Sequence, residues 1–447
     1  MPKGFVRDLR MLDAALLVVG SIVGGGIFLV SHDVAQDVGS EGAFLAAWII
    51  GGAVALAGAL SNGELGGLYP HSGGEYVYLR EAYGSGPAFL SGWTSFWIGF
   101  PGSIAALAAG LGATVSEMLG LNSVAAAKAI GVVSIACLTV VNALGVRPGK
   151  WVNNVLSVTK MAAFATLLLL GLLFTSRGAV AAPAPAPTTG ESSVSGIAAA
   201  LIPVLFAYSG WNAATYVAGE MREPTKGLGR ALALGTGSCV ILYLAVNATY
   251  LRAMSLAELA ATHDSPARLT AERLGGPVFA GLLAPLIAIC VLSSLQATIL
   301  VGPRIYHAMA TDRLFFRSFG KIEPRTGTPF VALIAQAGIA CAEFLTGSFG
   351  QLLAFAMFSI VTFSTLAVAA VLLLRIRCPA AHRPFRVPGG PLLPALFVAV
   401  NAWVLWSELA GPYFVDALVG IAIVATGIPA YLVFRARECA YAEEKAG

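Results

Sequence analysis

The stretch LLVVGSIVGGGIFLV, Leu16 to Val30, sets Gly20, Ser21, Gly24, Gly25 and Gly26 in the middle of an apolar run. Each glycine weakens a helix by roughly 1 kcal/mol relative to alanine, so the run predicts an interrupted helix. Unwound backbone leaves N–H and C=O groups free. The helix start beyond the interruption adds a positive dipole end that attracts a carboxylate. The end of the preceding half offers carbonyls that suit an ammonium group. Gly24, Gly25 and Gly26 put no side chain in the way. The chemistry this predicts is recognition of a small zwitterion such as an α-amino acid. The competing reading is that these glycines permit close helix packing.

A second stretch, LIPVLFAYSGWNAATYVAGE from Leu201 to Glu220, is also interrupted, at Tyr208 to Asn212. It opens the sixth apolar segment as the glycine stretch opens the first. Interruptions at matching positions of two five-span halves predict inverted repeats. Broken helices at membrane depth persist only inside protein or along a cavity. A third feature is Lys160, the basic residue that falls within an apolar span. A lysine at mid-bilayer costs roughly 2.5–3.5 kcal/mol on insertion scales, so it is expected to face the protein interior. It stands roughly 15 Å along the helix from Trp151, deep for a side chain that only snorkels to the interface.

These groups need a membrane scaffold, and the composition fits one. Of 447 residues, 57% are hydrophobic and 11% charged, whereas soluble domains carry about 25% charged residues. Apolar segments fall near 11–36, 43–68, 86–116, 125–144, 151–175, 196–221, 229–251, 276–308, 329–346, 349–375, 391–409 and 414–434. Segments near the length of a bilayer span predict an all-α membrane protein with twelve transmembrane helices. With the N-terminus inside, only Lys128, Arg177, Arg252, Arg268 and Arg273 of the 27 Lys and Arg lie outside, Lys160 apart. That asymmetry predicts cytoplasmic termini, and MPKGFVRDLRM has no cleavable-signal pattern. The expected organisation is a ten-helix transport core over 1–375, with repeats at about 11–175 and 196–375. Two additional helices and a short cytoplasmic tail follow in 376–447.

The Pro- and Ser-rich stretch Ala182 to Gly196 reads as an outer loop, and Ser255 to Gly276 as a short amphipathic outer cap in which His263 is a surface residue. The six cysteines, Cys137, Cys239, Cys290, Cys341, Cys378 and Cys439, are scattered. They read as small core residues rather than a disulfide or metal framework. The chain has no H-E-x-x-H, G-x-S-x-G or Walker A sequence, which argues against an enzyme or an ATP-driven pump. No repeated carbonyl filter marks a channel. No cofactor, metal or nucleic-acid partner is expected. A membrane sensor is the remaining class, and it would bind without flux.

The same residues carry a family resemblance. GSIVGGGIF resembles the first-helix signature of the amino acid–polyamine–organocation superfamily. LFAYSGWNAATYVAGEMREPTKGLGRAL resembles the sixth helix and following loop of its L-type amino acid transporter family. Glu64 to Leu90 and Gly302 to Phe316 resemble that family's segments after helices two and eight. The resemblance implies a 5+5 inverted-repeat (LeuT-like) fold with helices 1 and 6 broken. It implies that the substrate carboxylate meets the backbone N–H groups of Gly24, Gly25 and Gly26. The ammonium would meet carbonyls of Ile22, Phe206, Ala207 and Ser209, and Phe206 would act as the gate. Relatives often have Ser at position 25, so a hydroxyl contact is missing here. Lys160 would stand where sodium-coupled relatives hold a cation, bridging the break near Gly20 and the helix-eight hydroxyl of Ser294.

Asn212 and Tyr243 face the cavity by family alignment, or are satisfied core groups. Glu220 and Pro224 read as a loop anchor, and Glu343 and Glu408 as solvated groups near outer helix ends. With no acidic residue evident in the cavity, the substrate is expected to be a neutral L-amino acid. The implied activity is sodium-independent secondary transport, as an exchanger, by alternating access. The alternatives are a proton-coupled amino acid or polyamine symporter and a non-transporting amino acid sensor. The loop Ser116 to Lys128 has no cysteine, so no disulfide-linked partner chain is expected. The Ala/Gly-rich chain suits a bacterial inner membrane.

Overall fold

A computed structural model describes residues 5–121, 123–174, 194–262, 265–347, 349–410 and 414–446. Most of the Ala182 to Gly196 loop, His263 and the side chain of Cys439 lie outside the described residues. The chain is all-α. In order the helices are α1 (Met11–Ile22), α2 (Gly26–Asp37), α3 (Glu41–Leu68), α4 (Glu75–Tyr83), α5 (Ser85–Thr94) and α6 (Phe100–Met118). There follow α7 (Val124–Ala143), α8 (Val146–Phe174), α9 (Val194–Ala207), α10 (Ala213–Tyr216), α11 (Pro224–Ala253) and α12 (Leu256–Ala261). The chain ends with α13 (Pro266–Val301), α14 (Pro303–Thr311), α15 (Phe330–Thr346), α16 (Phe349–Arg377), α17 (Leu392–Ala410) and α18 (Phe414–Ala446).

Helix occupies each of the twelve apolar segments, and eight helices among the described residues are long and apolar enough to cross a membrane. The protein is therefore largely membrane-spanning. Apolar side chains such as Ile241, Val278 and Ile376 point outward, which water would penalise and a hydrocarbon surround would not. α5 and α6 are joined through a π-helical turn at Ser95–Gly99, making one continuous apolar rod. The cap segment ends at Gly276, whose φ of +70° kinks α13 before Pro277 restarts it. α12 is set by a reciprocal cap between Ser255 and Glu258, the arrangement that satisfies two free amides at a helix start.

The core is built from helices that approach closely. α3 and α11 meet where Gly66 lies against Leu228 and Gly63 against Gly229, and a Cβ at either position would collide. α11 also packs along α1, and α8 along α1 and α13. Both interruptions fall inside this packed set. The cysteines divide: Cys239 and Cys290 are buried, as core residues should be, whereas Cys137 and Cys378 are exposed. The expectation that all six are core residues fails there because helix rotation turns Cys137 outward and Cys378 lies just past the end of α16, between Arg377 and Pro379.

Candidate functional site

α1 stops at Ile22 and α2 starts at Gly26, with Gly25 as its cap. The Gly24 amide folds back on the Ile22 carbonyl at 2.9 Å. The first amides of α2, like those of any helix, have no intrahelical acceptor. Gly24 is buried, and Gly25 and Gly26 are half-buried. α9 stops at Ala207, and five residues of turn, Tyr208 to Asn212, lead into α10. The two interruptions touch. A Cβ at Gly26 would lie 3.5 Å from the Cα of Ala207, and one at Gly210 would lie 2.7 Å from Ser21 Oγ. Gly210 has φ +96°, a conformation that glycine adopts without strain.

The end of α1 is held by side chains rather than by a next helical turn. Lys160 Nζ donates to the Gly20 carbonyl at 3.0 Å and the Val23 carbonyl at 2.7 Å. Ser294 Oγ reaches the same two carbonyls, at 2.9 and 3.4 Å. Lys160 is fully buried. Its ammonium sits against the negative end of a helix dipole. A Cβ on Gly20 would lie 2.9 Å from Asn153 Oδ1 and 3.0 Å from Ser157 Oγ, so glycine is what admits this approach. Tyr243 OH reaches both the Ile22 carbonyl (2.9 Å) and the Ala207 carbonyl (3.2 Å). One phenol thus ties the end of α1 to the end of α9. One turn along α11, Asn247 accepts a hydrogen bond from Ser31 of α2 at 2.8 Å, so α11 holds both sides of the break.

The four carbonyls expected to meet an ammonium are not equally open. Ile22 and Ala207 share Tyr243, and the Phe206 carbonyl accepts from the Ser209 amide at 3.0 Å. Phe206 and Ala207 each keep a second lone pair, whereas Ile22, which also accepts from the Gly24 amide, has both engaged. Ser209 and Phe206 are exposed, Phe206 to 41%. Asn212 lies at the end of the turn, and its amide is committed to Glu75 Oε1 at 2.7 Å and Tyr216 OH at 3.1 Å.

Cavities flank the break on two sides. Beyond α2 a pocket of about 60 Å³ is lined by Phe28, Phe164, Val246, Tyr250, Leu283 and Leu286 among others. Phe28 and Phe164, stacked 5.5 Å between centroids, are part of its wall, and Phe28 follows two residues after Gly26. Beside the start of α1 a smaller pocket of about 10 Å³ is lined by Asp13, Lys150, Asn153, Asn154 and Glu220 among others. One face of α8 carries Lys150, Asn154, Ser157 and Lys160 along α1 at helical spacing. They bond Asp8, Asp13 (2.6 Å), the Leu16 carbonyl (2.9 Å) and the Gly20 carbonyl.

Beneath these groups the chain's start is strapped down. The Leu9 amide donates to the Glu220 carbonyl and the Arg222 amide to the Leu9 carbonyl, both at 2.9 Å. Asp8 meets Lys150, Arg147 and Arg222, and the Lys150 hydrogen bond above all holds its carboxyl at about 2. Glu220 is buried and paired with Arg304 at 2.7 Å, an anchor, as Pro224 is the first residue of α11.

Two acids depart from the sequence reading. Glu343 is buried rather than solvated, at 9% exposure, with Oε2 unpartnered among the described residues. Although it stands near the end of α15, α6 packs over it at Gly102. Glu408, near the end of α17, is half-buried. A buried acid that the sequence reading did not single out, Glu75, stands behind the second break. It is 6% exposed and bonds Asn212 directly. Its signal was the acid following two glycines in HSGGEYVY, which reads as a loop charge until the fold buries it. Among the described residues no cluster of three His, Cys, Asp or Glu could hold a metal.

Comparison with known proteins now decides the family. The amino acid permease family model matches residues 9–427. The chain belongs to this family. It is 30% identical over 440 residues to a serine/threonine exchanger of Bacillus subtilis (strain 168), covering 98% of each chain. It is 27% identical to the human cystine/glutamate transporter, over 96% of this chain and 85% of the relative. It is 28% identical to the b(0,+)-type amino acid transporter 1 of Mus musculus, over 96% and 88%. The permease is thus an integral membrane transport protein of the amino acid–polyamine–organocation superfamily, not an enzyme.

Proposed function

We propose that the permease is a sodium-independent exchanger of neutral L-amino acids that works by alternating access. The observation that carries this reading is the meeting of two helix interruptions beside a fully buried lysine. The amides of Gly25 and Gly26, joined by that of Gly24 when it lets go of the Ile22 carbonyl, receive the substrate carboxylate. Carbonyls of Ile22, Phe206, Ala207 and Ser209 receive its ammonium, with Asn212 beneath. Phe206, exposed at the end of α9, closes over the substrate. Lys160 and Ser294 hold the Gly20 carbonyl where a sodium ion would otherwise join α1 to α13, and Tyr243 keeps the two breaks together. A fixed ammonium also repels a second cation in a low-dielectric site.

In this reading α1 with α2, and α9 with α10, are two broken spans of a twelve-span, 5+5 inverted-repeat core over 1–375. Residues 376–447 add two helices, and both termini are cytoplasmic in a bacterial inner membrane without a disulfide-linked partner. Exchange is supported by the serine/threonine exchanger among the relatives. The test is purified protein in liposomes preloaded with unlabelled amino acids and offered a labelled panel outside. Uptake of neutral amino acids that depends on internal substrate supports the exchanger. Uptake from empty liposomes driven by a proton gradient would favour a symporter, and binding without uptake a sensor.

A further inference from the structure

Glu75 opens α4, in the segment between the spans Glu41–Leu68 and Ser85–Met118. Its carboxyl is enclosed by two other parts of the chain. Asn212, from the turn after α9, donates to Oε1 at 2.7 Å. Ser364, from α16, lies 2.9 Å from Oε1 and 3.1 Å from Oε2. These partners are neutral. None of the ion pairs among the described residues includes Glu75.

Charged groups on the packed elements are engaged elsewhere. On α14, Arg304 pairs with Glu220, and just past its end Asp312 pairs with Arg80. His307 faces the Phe319 carbonyl. On α16, Arg375 pairs with Glu64 and Arg377 holds the Ala82 carbonyl. α5 carries no charged residue. The titratable groups that face Glu75 are two phenols, Tyr78 on its own helix and Tyr216 on α10. A buried carboxylate without a cation tends to neutralise. Burial pushes the Glu75 carboxyl up, against the hydrogen bonds from Asn212 and Ser364 that pull it down.

We infer that Glu75 is a proton-binding site that holds its proton while the cytoplasmic side of the second break is closed and releases it when that side opens. The inference rests on the alternating-access reading above. With the proton on Oε2, the acid donates to Ser364 Oγ while Oε1 accepts from Asn212, so every contact survives and no charge is buried. Opening separates Asn212 from α4 and wets the carboxyl, which then ionises. Acid on the cytoplasmic side therefore favours the closed inner face. The inner face is the one that takes internal substrate, so acid there weakens its apparent internal affinity.

The experiment is counterflow in liposomes, with labelled L-serine, L-leucine and L-phenylalanine outside and the same amino acids inside at varied concentration. External pH is fixed and internal pH is set from 6 to 8. For the wild type, the internal half-saturation concentration rises on acidification, by at most about tenfold per pH unit for one proton. Glu75→Gln imitates the protonated acid. It exchanges with the acid-side value at every internal pH, while Glu75→Asp keeps a pH-dependent value. A wild type indifferent to internal pH, or a Glu75→Gln variant that responds as the wild type does, overturns the proton site and leaves the exchanger intact. Absence of exchange at any pH removes the exchanger and this inference with it. If Glu75→Gln is unfolded by size-exclusion profile, the wild-type and Glu75→Asp curves decide alone.

Discussion

The two helix interruptions are held by opposite means. At the first, a buried ammonium from Lys160 and the Ser294 hydroxyl fill the carbonyls that α1 leaves open at Gly20 and Val23. At the second, the Asn212 amide hangs from a buried acid, Glu75. Tyr243 joins the breaks by reaching the Ile22 and Ala207 carbonyls. The first fastening is a cation against a helix end, which the dipole favours and which has no carboxylate to lose. The second depends on a group that can exist charged or neutral. A broken helix therefore needs its free backbone groups answered, yet the chemistry of the answer decides whether the break is fixed or adjustable.

The largest effect is expected from filling the contact between the breaks. Gly26→Val sets a branched side chain where Ala207 Cα is already 3.5 Å from a Cβ, so substrate binding should be abolished in folded protein. Calorimetric affinity equal to wild type would remove the first break from the site. Next comes Lys160→Ala, which leaves the Val23 carbonyl only a long contact with Ser294 (3.4 Å). Burying an unsatisfied group costs about 1–3 kcal/mol. The variant should melt several degrees lower and transport poorly, and normal stability with normal turnover would make Lys160 a packing residue.

Phe206→Ala tests the second break from its exposed side. Turnover should fall more than equilibrium affinity, because the ring closes over substrate rather than anchoring its charges. Equal losses in both would deny it a gating role. The smallest effect belongs to the strap beneath. The Asp8 carboxyl is held at about 2 by Lys150 first among its partners. Because that folded value is depressed, the tie is fully present above the ordinary carboxylate value of about 4. It is lost only as pH falls through about 2. Thermal melts of wild type and Asp8→Asn should therefore differ modestly at neutral pH and converge only below about pH 3.

Much of the helical layout was legible because apolar runs and glycine report directly on helix formation. The end of α1 at Ile22 and of α9 at Ala207 follow from glycine clusters and the YSGWN turn. A lysine inside an apolar run could only face inward, and its burial follows. What the sequence hides is which charges the fold covers. Glu75 stands in a segment that reads as an inner loop, and only the packing of α4 against α16 and the turn at Asn212 encloses it. Glu343 stands near a helix end, where one turn of offset against α6 separates a solvated acid from a buried one. The same blindness to rotation misread Cys137.

The fixed character of the first break is tested most directly by sodium. Purified permease in liposomes preloaded with unlabelled L-serine, L-leucine and L-phenylalanine would be offered the labelled set in sodium or choline chloride at fixed pH and voltage. The account predicts equal initial rates in the two salts and a collapse of uptake when the liposomes are empty. A rate that rises several-fold with an inward sodium gradient would contradict it, because Lys160 would then not be standing in the place of the cation.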